Sequence, residues 1–140
     1  MEKEPKLLFA DEKEMLECMS EWKKKLGLSD WFIGAKICSK EDMSDEEWAG
    51  ESYVQPENKC GTIKILRNED IPKDCILKTS QECTLIHELL HFKMIRFEEK
   101  DYFEAIYNLG MHQLIEEMAR ALYAAKYGLD MEWFIADSAK

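Results

Sequence analysis

The chain has 140 residues, 46% hydrophobic and 34% charged, with a formal charge of -10 and a pI near 4.8. That length suits one domain over residues 1–140, with a core able to fold without disulfides or metal, and the proportions are globular rather than disordered. The acidic balance argues against a general affinity for DNA or RNA, whose phosphates are held by clustered Lys and Arg, and against an acidic or anionic-membrane ligand.

The opening MEKEPKLLFADEKEML lacks the long apolar core of a signal peptide. No eighteen uncharged apolar residues run together, so a soluble cytoplasmic protein is expected. In the first predicted element Met15, Cys18, Met19, Trp22 and Leu26 recur at threes and fours, an amphipathic helix over 11–28 with Gly27 where it would stop. Residues 30–38, DWFIGAKIC, alternate with Trp31, Ile33, Ala35 and Ile37 on one side, a half-buried strand. The acidic stretch SKEDMSDEEWAGESYVQPENK, broken by Gly and Pro, reads as a long solvated loop with one helical turn and a short strand at Tyr53–Gln55. Gly61 to Leu66, GTIKIL, alternates again and supplies a strand just before the histidine segment. No internal repeat is present. The five cysteines, Cys18, Cys38, Cys60, Cys75 and Cys83, are odd in number and form no CxxC pair. They read as reduced thiols, mostly small buried hydrophobes.

The segment TLIHELLHFK, residues 84–93, holds two of the three histidines four residues apart around a glutamate. Thr79 and Glu82 have capping-box spacing, and Leu85, Ile86, Leu89, Leu90 and Met94 then keep helical period to about Phe97. At about 100° per residue, His87, Glu88 and His91 share one face while apolar residues cover most of the rest, a pattern a surface helix does not explain. Histidines at i and i+4 can direct two nitrogens at one Zn2+, and the glutamate between them can reach a water on the metal. Zinc lowers the pKa of that water to ~7, and the glutamate takes its proton as it attacks a carbonyl. HExxH is short, and its weight here comes from its place on a helix flanked by Leu89 and Leu90.

A catalytic zinc takes a third protein ligand and keeps one open position. Residues 101–127 read as a long helix ended by Gly128, and in MHQLIEEMARAL the residues His112, Glu116 and Arg120 form a polar stripe apart from Leu114, Ile115, Met118, Ala121 and Leu122. His112 is the remaining histidine and stands four residues before Glu116, so both could face the first site helix across the metal. Such a stripe on its own is more often solvated surface; beside the first motif it offers His112 or Glu116 as third ligand.

The order helix, GLSDW strand, GTIKIL strand, TLIHELLH helix and HQLIEEMARAL helix resembles the small soluble zinc peptidases called minigluzincins and related phage and bacterial metallopeptidases, from about Trp22 to Lys126. The resemblance implies an α+β, zincin-like fold in which a small twisted sheet on one side of a cleft packs on three main helices. It implies Zn2+ as cofactor, His87 and His91 as ligands and Glu88 as general base. Gluzincins use a Glu on the second helix as third ligand and an Asp four residues later to support a zinc histidine. Carried over by position, His112 is the ligand and Glu116 the supporting carboxylate; carried over by residue type, Glu116 is the ligand. The Gly61 to Leu66 strand would edge the cleft and pair with an extended peptide substrate. The glycine and third histidine of metzincins are absent, since FKMIRFEEK follows His91.

Two functions follow as expectations. One is a zinc-dependent endopeptidase, with Tyr107, Arg120 and Tyr123 as candidates for oxyanion stabilisation. The other is a non-catalytic or latent module in which a saturated four-ligand metal staples a domain used for protein contacts. Cys60 and Cys83, flanking the strand and helix of the cleft, are weaker metal candidates. The tail LDMEWFIADSAK, residues 129–140, carries Met131, Trp133, Phe134 and Ile135, too apolar for a solvated end. It docks either on the domain surface or over the cleft as an inhibitory segment.

Overall fold

The computed structural model of the protein describes residues 4–45, 48–73, 75–95 and 104–139. Helix α1 spans Glu12–Lys25, with Asp11 as N-cap accepting the Glu14 N–H at 2.9 Å. Acidic residues in its first turn and Lys23, Lys24 and Lys25 in its last complement the helix dipole. Met15, Cys18, Met19 and Trp22 are its buried face, as their spacing predicts, and Gly27 at φ +72° closes it in the left-handed region.

Three strands follow: β1 (Phe32–Cys38), β2 (Gly50–Gln55) and β3 (Cys60–Leu66). On β1, Ile33, Ala35 and Ile37 are covered while Phe32, Gly34 and Lys36 are exposed, as the alternation predicts. The sheet order is β1-β3-β2, with β1 parallel and β2 antiparallel to β3. This corrects the expectation that Gly61 to Leu66 edges the cleft. β3 is central and paired on both sides, which is why Ile63, Ile65 and Leu66 are buried. The edge strand is β2, which begins three residues earlier than predicted inside the acidic stretch. Edge strands are commonly polar, because charge there discourages pairing with other chains, so β2 looks like loop in sequence. The Leu66 N–H donates to the Ala49 carbonyl at 2.9 Å. The antiparallel alternation then turns the backbone N–H and C=O of Gly50, Ser52 and Val54 away from β3, toward an edge that no other described strand pairs with.

Helix α2 spans Gln81–Met94, and helix α3 spans Glu104–Tyr127 with Gly128 at φ +67° after it. The predicted end of α2 at Phe97 and start of α3 at Asp101 lie outside the described residues. The N-cap of α2 is Ser80 rather than Thr79: its hydroxyl accepts the Cys83 N–H at 3.1 Å and donates to the Lys6 carbonyl at 2.8 Å. Among the described residues, a three-stranded sheet with three α-helices makes the protein α+β, as expected. One core cluster joins the helices to β3 and takes in Phe9 and Phe134. No helix among the described residues is long and apolar enough to cross a membrane.

Glu82, one residue into α2, is fully buried and does not close a capping box. Its carboxylate accepts Trp22 Nε1 of α1 at 2.7 Å and Lys126 Nζ of α3 at 2.6 Å, together with the Tyr127 hydroxyl. Burial acts to raise this carboxyl, but the hydrogen bonds from Lys126, Tyr127 and Trp22 together outweigh it and hold the group below its ordinary 4.5. Glu82→Ala would leave Lys126 uncompensated in the interior and is expected to destabilise the fold by about 3–5 kcal/mol in denaturant unfolding. Because the folded carboxyl sits below 4.5, the unfolded chain takes up this proton first as pH falls. The stabilisation is therefore complete above that value and lost on acidification below it, and Glu82→Gln should lack that part of the acid destabilisation.

The C-terminal segment docks on the domain surface. Met131–Phe134 forms a 3-10 turn, after which Ile135 pairs with Leu77 in an antiparallel bridge. The Lys78 N–H donates to the Phe134 carbonyl at 2.7 Å and the Ala136 N–H to the Ile76 carbonyl at 2.8 Å. The rings of Trp133 and Phe134 lie 5.7 and 6.0 Å from that of Tyr123. No described residue beyond Leu129 lines the cleft discussed below. Deleting residues 129–140 should lower the melting temperature on the order of 5–10 °C, from the lost burial of Phe134 and Trp133. An unchanged melting temperature would remove this docking from the fold's stability.

Candidate metal centre

Leu85, Ile86, Leu89, Leu90 and Phe92 of α2 are all buried, and between residues 85 and 92 they leave one stripe of the helix for polar groups. That stripe carries His87, Glu88 and His91, and it forms the floor of a cleft of about 620 Å³. Residues 48–54, including most of β2, form one wall; Met111, His112 and Glu116 of α3 form part of the other. His87 and Glu88 are themselves buried, at 6% and 5% exposure, an unusual position for both residue types without a specific partner.

The fold brings the three histidines together. One ligand atom from each of His87, His91 and His112 lies within 4.8 Å of the other two, with His87 buried, His91 half-buried and His112 exposed. His87 Nε2 and His91 Nε2 are 3.3 Å apart. Two nitrogens bound tetrahedrally to zinc at 2.0–2.1 Å would be separated by about 3.4 Å, so this pair already has the spacing of two ligands. The imidazoles of His87 and His112 meet edge to face with centroids 4.6 Å apart. Among the described residues no Cys, Asp or Glu belongs to the group. Three imidazole donors suit Zn2+ and leave one of four tetrahedral positions free.

Glu116 occupies a different place from the three ring nitrogens. Its carboxylate meets His87 Nδ1, on the side of the ring away from His91, and accepts Arg120 Nη2 at 2.7 Å. A carboxylate on Nδ1 keeps the proton there and leaves Nε2 with its lone pair toward the centre of the group, the usual support for a metal-binding histidine. The hydrogen bond from His87 is the main reason the Glu116 carboxyl lies below its ordinary value; burial opposes it. Loss of hydration around the packed rings, followed by the neighbouring His87 and His91, lowers His112 from 6.5 and favours the neutral imidazole a metal requires. Glu88 behaves in the opposite sense. Burial pushes its carboxyl up, against the pull of His87, His91 and the Ser52 hydroxyl.

Of the oxyanion candidates, Tyr123 is fully buried with its hydroxyl donating to the Lys6 carbonyl at 2.7 Å, and Arg120 is engaged by Glu116. The side chain of Tyr107 lies outside the described residues. Cys83 is desolvated, which pushes its thiol up to about 12, and Cys60 Sγ contacts Gln55. Neither joins the histidines. The residues that sequence reasoning passed over are Gly50 and Ser52 of β2. The alternation of small residues Gly50, Ser52 and Val54 in GESYVQ was the available signal. No family model, curated protein or solved structure matches the chain.

His112 and Glu116 stand in different places, so zinc binding can be used to separate them as candidates for third ligand. In calorimetric titration of zinc into metal-free protein, His112→Ala should lose most of the binding, whereas Glu116→Gln should weaken it about 10- to 100-fold, as outer-shell partners do. The opposite ranking would make Glu116 the ligand.

Proposed function

We propose that the protein is a zinc-dependent metallopeptidase of the gluzincin type, close in plan to the minigluzincins. The observation that carries this reading is the convergence of three imidazoles beside a buried carboxylate, Glu88, on the floor of a cleft whose wall is a free strand edge. His87, His91 and His112 would hold the ion, with Glu116 fixing the His87 ring from behind. Zinc bound there supplies a Lewis acid that lowers the pKa of water to ~7 and polarises a carbonyl oxygen. Glu88 accepts one proton from the attacking water as the new C–O bond forms. It returns that proton to the departing amine nitrogen as the C–N bond breaks, leaving a carboxylic acid and an amine.

The substrate on this reading is an extended peptide, and its binding strand is β2 rather than Gly61 to Leu66. The outward backbone groups of Gly50, Ser52 and Val54 can each pair with a peptide main chain, a recognition mode that requires no particular side chain. A group of three histidines with a position to spare favours catalysis over a saturated structural staple. Free cysteines, two of them buried, suit a reducing cytoplasmic setting.

Glu88→Gln tests the assignment directly. The variant should fold and bind zinc like wild type while hydrolysis of casein or a peptide library, abolished in wild type by chelator, drops by about 100-fold or more. Cleavage at the wild-type rate would remove Glu88 from the chemistry, and no cleavage by zinc-loaded wild type would sink the peptidase reading.

A further inference from the structure

The contact between β2 and α2 is closer than side chains normally allow. A Cβ placed on Gly50 would stand 2.5 Å from Thr84 Cγ2, 3.0 Å from Glu88 Oε2 and 3.3 Å from Glu88 Cγ. The strand therefore rests directly on the Glu88 side chain, in a space that only a glycine leaves. Gly50 and Ser52 lie opposite the buried Ile65 and Ile63 of β3, so both project to the α2 side of the sheet. Ser52, the next residue on that face, lines the same cleft as Glu88, and its hydroxyl acts to lower that carboxyl.

From this arrangement we infer that Ser52 is the positioning residue of Glu88, holding the carboxylate of the general base toward the three histidines, while its own main chain forms part of the strand edge offered to a peptide. The inference rests on the peptidase reading above. A carboxylate has about four lone-pair positions over two oxygens. On this inference a hydrogen bond from Ser52, with the close backbone at Gly50, fixes the plane of the group and leaves the remaining positions to accept a proton. Without the hydroxyl the side chain can rotate within its pocket, and a base misplaced by about 1 Å can lose as much as 100-fold in rate. Because Ser52 N–H and C=O face the free edge, docking of a peptide and orientation of the base involve the same residue.

Two measurements on the full chain test this. In zinc-loaded protein, Ser52→Ala should lower kcat about 10- to 100-fold with KM and zinc content close to wild type, and Ser52→Thr, which keeps the hydroxyl, should recover most of the loss. In metal-free protein, a thermal-unfolding cycle of Ser52→Ala, Glu88→Ala and the double variant should be non-additive: the fall in melting temperature caused by Ser52→Ala should vanish once Glu88 is gone. Unchanged kcat in Ser52→Ala, a loss confined to KM, or additive melting shifts would overturn the inference. Absence of hydrolysis by wild type would remove the peptidase reading instead, and the unfolding cycle would then decide alone whether Ser52 holds Glu88.

Discussion

The carboxylate of Glu82 is the constraint on which the helical arrangement depends. It sits one residue into α2, fully buried, and collects a donor from α1 and two from α3, so the three helices cannot shift independently without exposing an unpaired charge. The N-terminal segment is tied to the same region: Phe9 N–H donates to Gln81 Oε1 at 2.7 Å and Lys6 carbonyl accepts the Tyr123 hydroxyl. About five residues further along α2, roughly 7.5 Å of helix rise, comes His87. A helix whose first turn is fixed this firmly presents its polar stripe in one orientation, and α3, fixed at Lys126 and Tyr127, presents His112 and Glu116 opposite it.

Three buried or half-buried carboxylates then divide into two kinds by their surroundings. Glu82 is surrounded by donors and kept ionised. Glu116 is kept ionised by His87, and Arg120 secures its second oxygen. For Glu88 burial dominates and pushes the carboxyl up. Environments that push neighbouring carboxyl groups apart in this way separate the group that exchanges a proton from the group that only orients a ring.

Much of this was legible in sequence because it is local. The period of Met15, Cys18, Met19 and Trp22 marks α1, the alternation in FIGAKIC and GTIKIL marks β1 and β3, and the i, i+4 histidines on a helix with Leu89 and Leu90 mark the floor of the cleft. What local pattern could not give is sheet order. GTIKIL has the same alternation at a centre as at an edge, and its central place follows from β1 and β2 both pairing with it. The acidic GESYVQ carries its information in what is missing, a side chain at Gly50 and bulk at Ser52, and that matters only once α2 is seen beneath it. Thr79 and Glu82 had capping-box spacing, yet Ser80 caps the helix and Glu82 points inward, because burial beside Lys126 outweighs a local bond to the helix end.

The cleft also bears on how an acidic protein can hold a ligand there. Two of its lining carboxylates are already hydrogen-bonded, Glu51 by the N–H and hydroxyl of Ser44 and Glu116 by His87 and Arg120, and the third, Glu88, is buried. The net charge of -10 therefore acts on the cleft mainly as a distant field, which favours the approach of cations and is largely screened beyond about 8 Å at physiological salt. What the walls offer to an incoming molecule is the set of imidazole nitrogens and the outward main chain of Gly50, Ser52 and Val54. The first suits a divalent ion and the second an uncharged peptide backbone, and they meet at Glu88, which stands on the histidine-bearing helix with its side chain against the strand at Gly50.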